Sequence, residues 1–276
     1  AAVNALNAGG LCGFTAPVVF NVTAGQTFNE NVPAITVSGT SVNTITFQKN
    51  GAGANPVITP SGSAGANDAG ITIAGGDYIT FNGIDINSLL NAAVEYGYLV
   101  RNASATDGAQ FNVIQNCTIT LNRSNTTSRG IMQTATTTGG GFSATAASGT
   151  NSNNIYRNFN IRNVYGGVFL NGTSTTWPDV NVQVTTSACG TYNSIGDPGV
   201  PNDIGNVTST TTYGIQASNQ SDVVIRNNRI SNVTTSSAQV DGINLITFSG
   251  TCDVSNNIVN NIRQNGTGST SLASGI

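Results

Sequence analysis

The sequence predicts an all-β protein built as a parallel β-helix, and three observations carry that expectation. A glycine followed by an apolar residue opens a short β-like run seven times, at Gly70-Ile71, Gly97-Tyr98, Gly130-Ile131, Gly167-Val168, Gly214-Ile215, Gly242-Ile243 and Gly275-Ile276. The spacings of 27, 33, 37, 47, 28 and 33 residues are those of a coil whose loops vary while its turn chemistry does not. A second strand pattern follows these starts, at 113–119, 155–161, 224–230 and 253–259. In each, an Asn (Asn116, Asn158, Asn227, Asn256) precedes a β-branched residue by three positions. The third observation is composition. Only 8% of the chain is charged, and Asn, Thr, Ser and Gly carry its polarity, as many short strands joined by Gly/Asn turns require.

Taken in order, residues 1–10 read as a short Ala/Leu/Val helix closed by Gly9-Gly10, placed to cap the open edge of a first coil. Residues 11–68 read as the first coils, with strands expected at 18–22, 34–37, 44–47 and 56–59. Residues 69–276 form the repeat coils of one elongated domain. Where 79–86 runs through the second pattern, Gly83 takes the Asn place, so the position calls for left-handed backbone and a tight bend. Stacked coils then bring Asn116, Asn158, Asn227 and Asn256 about 4.8 Å apart as a structural amide ladder. The chain opens without a Met or signal peptide and closes on the start of a new repeat, which reads as a piece of a longer protein.

A formal net charge of −3 leaves no electrostatic footprint for nucleic acid, and no apolar run reaches the roughly 18–20 residues of a membrane span. Of four cysteines, Cys117 sits within a repeat and reads as a small buried apolar residue. Cys189 and Cys252, in loop-like surroundings, form the candidate disulfide. No Cys/His spacing suggests zinc, and the chain has no His at all.

The coils resemble the parallel β-helix repeats of the pectate-lyase-like superfamily. The stretch 2–10, followed by Pro17-Val18-Val19-Phe20-Asn21-Val22 and Thr44-Ile45-Thr46-Phe47-Gln48, resembles the start of large secreted proteins exported by the bacterial type IX pathway. The resemblance covers essentially the whole chain. It implies a right-handed β-helix and a secreted or cell-surface, adhesin-like role, and it says little about activity, because the superfamily mixes lyases, hydrolases, adhesins and passive stalks.

The family's catalytic patterns are not matched. Its hydrolases use clustered Asp with a Gly-His-Gly motif, which a chain without His lacks; its lyases set Arg or Lys beside Ca²⁺-binding carboxylates, and no acidic cluster accompanies Arg157, Arg162, Arg226 or Arg229 in sequence. Stacking does place Asp68 and Glu95, each two residues before a repeat Gly, one strand spacing apart. That separation suits a structural Ca²⁺ or a retaining carboxylate pair, against the alternative of two solvated turn residues. Trp177, in the longest inter-repeat segment, with Tyr165, Tyr192 and Tyr213 near coil corners, forms the candidate sugar-stacking set; the competing reading folds Trp177 back over the wall. The expectation is a non-enzymatic, secreted or cell-surface β-helix segment acting as an adhesin-like stalk or glycan-contacting module, without cofactor, nucleic acid or membrane insertion. A polysaccharide lyase or hydrolase is the alternative, and a filament subunit stacking end to end is the second.

Overall fold

The computed structural model describes residues 1–9, 13–63, 67–188, 190–205, 210–266 and 272–276. Its strands form three sheets in which every strand-to-strand pairing is parallel. From Ile79 onward the chain visits the sheets in rotation. Ile79–Asn82 lies in sheet A, Asp85–Asn87 in sheet B and Tyr96–Arg101 in sheet C, and Val113–Gln115 then returns to sheet A beside Ile79–Asn82. The same A, B, C order recurs through Ala273–Ser274, an all-β arrangement consistent with a parallel β-solenoid.

The repeat glycines begin the sheet C strands, and their absence of a side chain has a steric cause. A Cβ on Gly70, Gly97, Gly130, Gly167, Gly214 or Gly242 would meet a branched side chain from sheet B at 2.7 Å or less: Ile86, Ile119, Ile161, Ile195, Ile230 and Val259 respectively. Each coil thus closes by pressing a sheet B side chain onto a bare sheet C backbone. The next inward row of sheet C (Ile71, Tyr98, Ile131, Val168, Ile215, Ile243) is buried in register and joins sheets A and B in one continuous core. Phe20, Phe47 and Phe81 stack along the core with centroids 4.5 and 4.8 Å apart, matching the strand spacing. Cys117 is buried in this core, and burial pushes its thiol well above the ordinary range.

The corner from sheet A to sheet B carries the expected left-handed residues. Gly83, Asn116, Asn158, Asn227 and Asn256 have φ of 73°, 59°, 54°, 59° and 55°. Of the ladder expected through Asn116, Asn158, Asn227 and Asn256, one link forms, Asn158 to Asn116 Oδ1 (3.2 Å), with Asn116 continuing to Asn82 Oδ1 (2.6 Å). The coil that follows has no Asn at this corner, so Asn158 also donates to Ser187 Oγ and Asn227 to Thr186 Oγ1. A second ladder sits inside, where Asn193 donates to Asn228 Oδ1 at 2.8 Å and Asn228 to Asn257 Oδ1 at 2.9 Å. Buried amides in such a row satisfy one another, so the turn holds polar groups in the interior without leaving them unpaired.

At the N-terminal end the helix Ala2–Gly9 buries Val3 and Leu6 against the first coils. Strands appear at Val18–Thr23, Ile45–Asn50 and Val57–Ile58. The strand expected at 34–37 reduces to a single parallel bridge between Ile35 and Ile73. Pro33, which has no N–H to give, precedes it, and only Ile35 joins the ladder, through Thr72 O and to Ala74 N. No helix among the described residues is long and apolar enough to cross a membrane.

Candidate functional site: the groove beside Trp177

Between sheet C and sheet A the connections 135–154 and 172–182 lie side by side and form an open groove of about 350 Å³ lined by Gln110, Thr150, Ser152, Asn153, Trp177 and Val180. The extra residues of the longest repeat interval fall in its other two connections, 186–192 and 196–211. Two segments form its walls. Asn153 N donates to Val180 O (2.8 Å) and Val180 N to Ser152 Oγ (2.9 Å), which ties 150–153 to 176–180. Trp177 is half-buried on this wall, with its backbone N–H on Ser174 Oγ at 3.2 Å.

A fully buried carboxyl holds the walls from behind. Asp179 accepts from Asn151 N (2.8 Å) and Gln133 Nε2 (2.7 Å), and Gln133 Oε1 in turn accepts from Tyr156 OH (2.7 Å) and Asn154 Nδ2 (3.1 Å). Desolvation raises the Asp179 pKa to about 7, against the opposing hydrogen bonds from Asn151, Gln133 and Gln220. Gln220, its strand neighbour, has a buried Oε1 with no hydrogen-bond partner among the described residues.

The aromatic residues singled out from sequence do not converge. Tyr165 is fully buried, with its hydroxyl on Thr210 O, so it belongs to the wall and offers no exposed ring face. Tyr192 is 38% exposed beside sheet B, with the Arg229 guanidinium 5.6 Å from its ring centre. Tyr213 is half-buried on sheet C, 5.9 Å from Phe169. Trp177 alone lines the groove.

Asp68 and Glu95 are stacked as expected, since Ala69 pairs with Tyr96 in register. Their carboxyls go to different donors: Asp68 accepts from the Ser63 backbone and hydroxyl, whereas Glu95 accepts from Asp68 N (2.9 Å) and Asn125 Nδ2 (3.2 Å). Burial, and to a smaller degree the Asp68 charge, pushes the Glu95 carboxyl above its ordinary value. Among the described residues no group of three or more His, Cys, Asp or Glu comes together. Of the suggested disulfide, Cys189 lies outside the described residues, and Cys252 is an exposed thiol.

Two features were missed from sequence. Tyr78 and Phe111 stack face to face, 4.7 Å apart and within 3° of parallel, on the turn that enters sheet A. Both have positive φ where later coils carry Asn or Asp, and that mismatch was the available signal. The second is an aromatic cluster on the outer face of sheet C, where Leu99, Met132 and Phe169 stand in register with Tyr96 beside them. The Arg129 guanidinium lies 4.3 Å from the Phe169 ring centre and donates to Ser128 O and Thr126 O. It lies across Gly166, whose Cβ would meet Arg129 Cδ at 2.8 Å. Its pKa is lowered to about 10, chiefly by burial, with the phenols of Tyr96, Tyr165 and Tyr213 opposing.

No family profile matches the chain, and no curated protein matches it.

Proposed function

We propose that the chain is a right-handed β-helix segment of a secreted or cell-surface bacterial protein, acting as a non-catalytic, glycan-contacting module of an adhesin-like stalk. The observation that carries this reading is the Trp177 groove. It is a concave surface formed by loops on a rigid sheet scaffold, with an aromatic wall, hydroxyls and amides at its rim, and its carboxyl withdrawn beneath.

Supporting it, three carboxyls set into the coils are committed to holding those coils together. Asp85 accepts from Thr118 N and Asn55 Nδ2, Asp203 from Asn163 N and Asp197 N, and Asp179 from Asn151 N and Gln133. A surface solvated by amides and hydroxyls suits contact with sugar hydroxyls, and the binding needs no cofactor. The extracellular setting follows the N-terminal resemblance to exported β-helix proteins.

The test is retention on a panel of polysaccharides, with reducing ends and unsaturated products assayed in the same samples. Retention without product is expected. Sustained turnover of any polysaccharide contradicts the non-catalytic reading.

A further inference from the structure

We propose that Gln110 selects the sugar in the Trp177 groove, presenting its side-chain carbonyl as a fixed acceptor to a free sugar hydroxyl, with the Asn153 amide as a donor on the same wall. The occupant is then a neutral glycan whose hydroxyls are unsubstituted. This rests on the glycan-contacting reading and adds to it the hydrogen-bonding preference of the groove.

The hydroxyl protons of the 150–153 wall are spent within the fold. Thr150 and Ser152 line the groove but are only 3% and 6% exposed. The Thr150 hydroxyl donates to Ala147 O at 2.8 Å. With that proton committed, the Ser152 hydroxyl is the donor in its 2.8 Å contact with Thr150 Oγ1, and Ser152 Oγ also accepts from Val180 N. Neither hydroxyl keeps a proton for a ligand.

Gln110 is fixed at both ends. Its backbone N–H donates to Asp77 Oδ1 (2.7 Å), and its Nε2 donates to Ala147 O (3.1 Å) and Thr150 O (3.0 Å). Those two carbonyls take both amide protons and decide which end of the side chain is nitrogen, since an oxygen there would face two acceptors. Oε1 is left without a partner among the described residues, on a half-buried side chain that lines the groove. Asn153 is oriented the other way. Gln183 Nε2 donates to Asn181 Oδ1 (3.3 Å) and Asn181 Nδ2 to Asn153 Oδ1 (3.1 Å), so this file of amides occupies the Asn153 carbonyl and leaves its Nδ2 to donate.

A fixed acceptor favours a group that brings a proton. A sugar hydroxyl does, whereas a carboxylate or an O-alkylated oxygen offers Gln110 Oε1 only lone pairs. None of the described residues lining the groove is charged, so nothing there pairs with a polyanion. Losing one neutral hydrogen bond lowers affinity by up to about tenfold, and a site built around a hydroxyl discriminates against the analogue that lacks it.

Two variants test this. Gln110→Met keeps the length of the side chain and removes the acceptor. Asn153→Asp replaces the donor by an acceptor and suits the left-handed backbone (φ 61°), since Asp222 holds φ 55° in the corresponding turn of a later coil. The intact chain and both variants are run by affinity electrophoresis through xyloglucan, galactomannan and mixed-linkage β-glucan, each native and O-methylated, and through polygalacturonate, with Tm measured for each protein. The wild type is expected to be retarded by at least one native neutral polymer, about tenfold more weakly by its O-methylated form, and not by polygalacturonate. Gln110→Met should bind the native polymer about tenfold more weakly and the O-methylated form as the wild type does, and Asn153→Asp should bind the native polymer more weakly at unchanged Tm. A wild type that holds both forms equally, or either variant binding the native form like wild type, overturns the proposal and leaves the glycan reading standing. Loss of both forms together in Gln110→Met, with a lowered Tm, assigns the residue to the wall and also overturns it. Retention by polygalacturonate alone contradicts the neutral occupant. A wild type retarded in no gel overturns both readings.

Discussion

Asp179→Asn tests whether a neutral carboxyl holds the groove walls. The carboxyl is fully buried, has no cationic partner among the described residues, and burial pushes its pKa up to about 7 from the ordinary 3.8. A group with a raised folded pKa binds its proton more tightly in the folded state. Its stabilisation is therefore complete below pH 3.8 and is lost as pH rises towards 7. Between pH 5 and pH 8 the two states differ by about one proton over two pH units, worth about 3 kcal/mol at roughly 1.4 kcal/mol per unit. Asp77, raised to about 6 mainly by burial, adds a smaller change of the same sign, reduced by its partial exposure. Asp197 and Asp222 are held low, first by the backbone N–H groups of Gly199 and Thr251, so they act only in more acidic solution. Urea unfolding at pH 5, 6, 7 and 8 should show the wild type losing stability as pH rises. Asp179→Asn should remove most of that loss and be the more stable protein at pH 8. An unchanged pH slope in the variant would falsify the assignment of a neutral carboxyl at this site.

Other predictions follow from the coil-closing contacts. Gly97→Ala forces a Cβ into Ile119 and Gly130 O and should cost about 1–3 kcal/mol by overpacking; an unchanged urea midpoint would count against the steric account of the repeat. Asn158→Ala places Ala at φ 54° and removes the link to Asn116, so a loss of about 1–2 kcal/mol is expected, whereas Asn158→Gly should recover most of it. Gly166→Ala displaces Arg129 and Phe169 on the outer face of sheet C. Thermal unfolding should fall, and the further change Phe169→Leu should partly restore it if the crowding is as described.

The fold was legible because its two strongest constraints act through residue type. A glycine is required wherever a sheet B Ile or Val presses on sheet C, and an Asn or Gly wherever the A-to-B corner is left-handed; the first recurs from coil to coil and the second in all but the longer corner after Gln183–Thr185. The Asp68–Glu95 stack was legible for the same reason, since the repeat glycine fixes the register. What each carboxyl bonds to was not, because those donors come from loops such as Ser63 and from the next coil, at Asn125. Tyr165 was placed on the surface because it neighbours a corner, yet its ring turns inward and its hydroxyl finds Thr210 O. Asp179 carries no mark in the sequence, because its partners Gln133 and Asn151 come from the preceding coil. Tyr78 and Phe111 escaped notice because the strain that marks them is a backbone angle, which only the turn ladder reveals.

The single tryptophan gives the most direct measurement of the account, since its emission reports the groove alone. Titrating the intact chain with an oligosaccharide of a polysaccharide that retains it should produce a saturable change in Trp177 fluorescence. Retention on the polysaccharide with no change in that emission would place the sugar elsewhere and contradict the groove as the contact site.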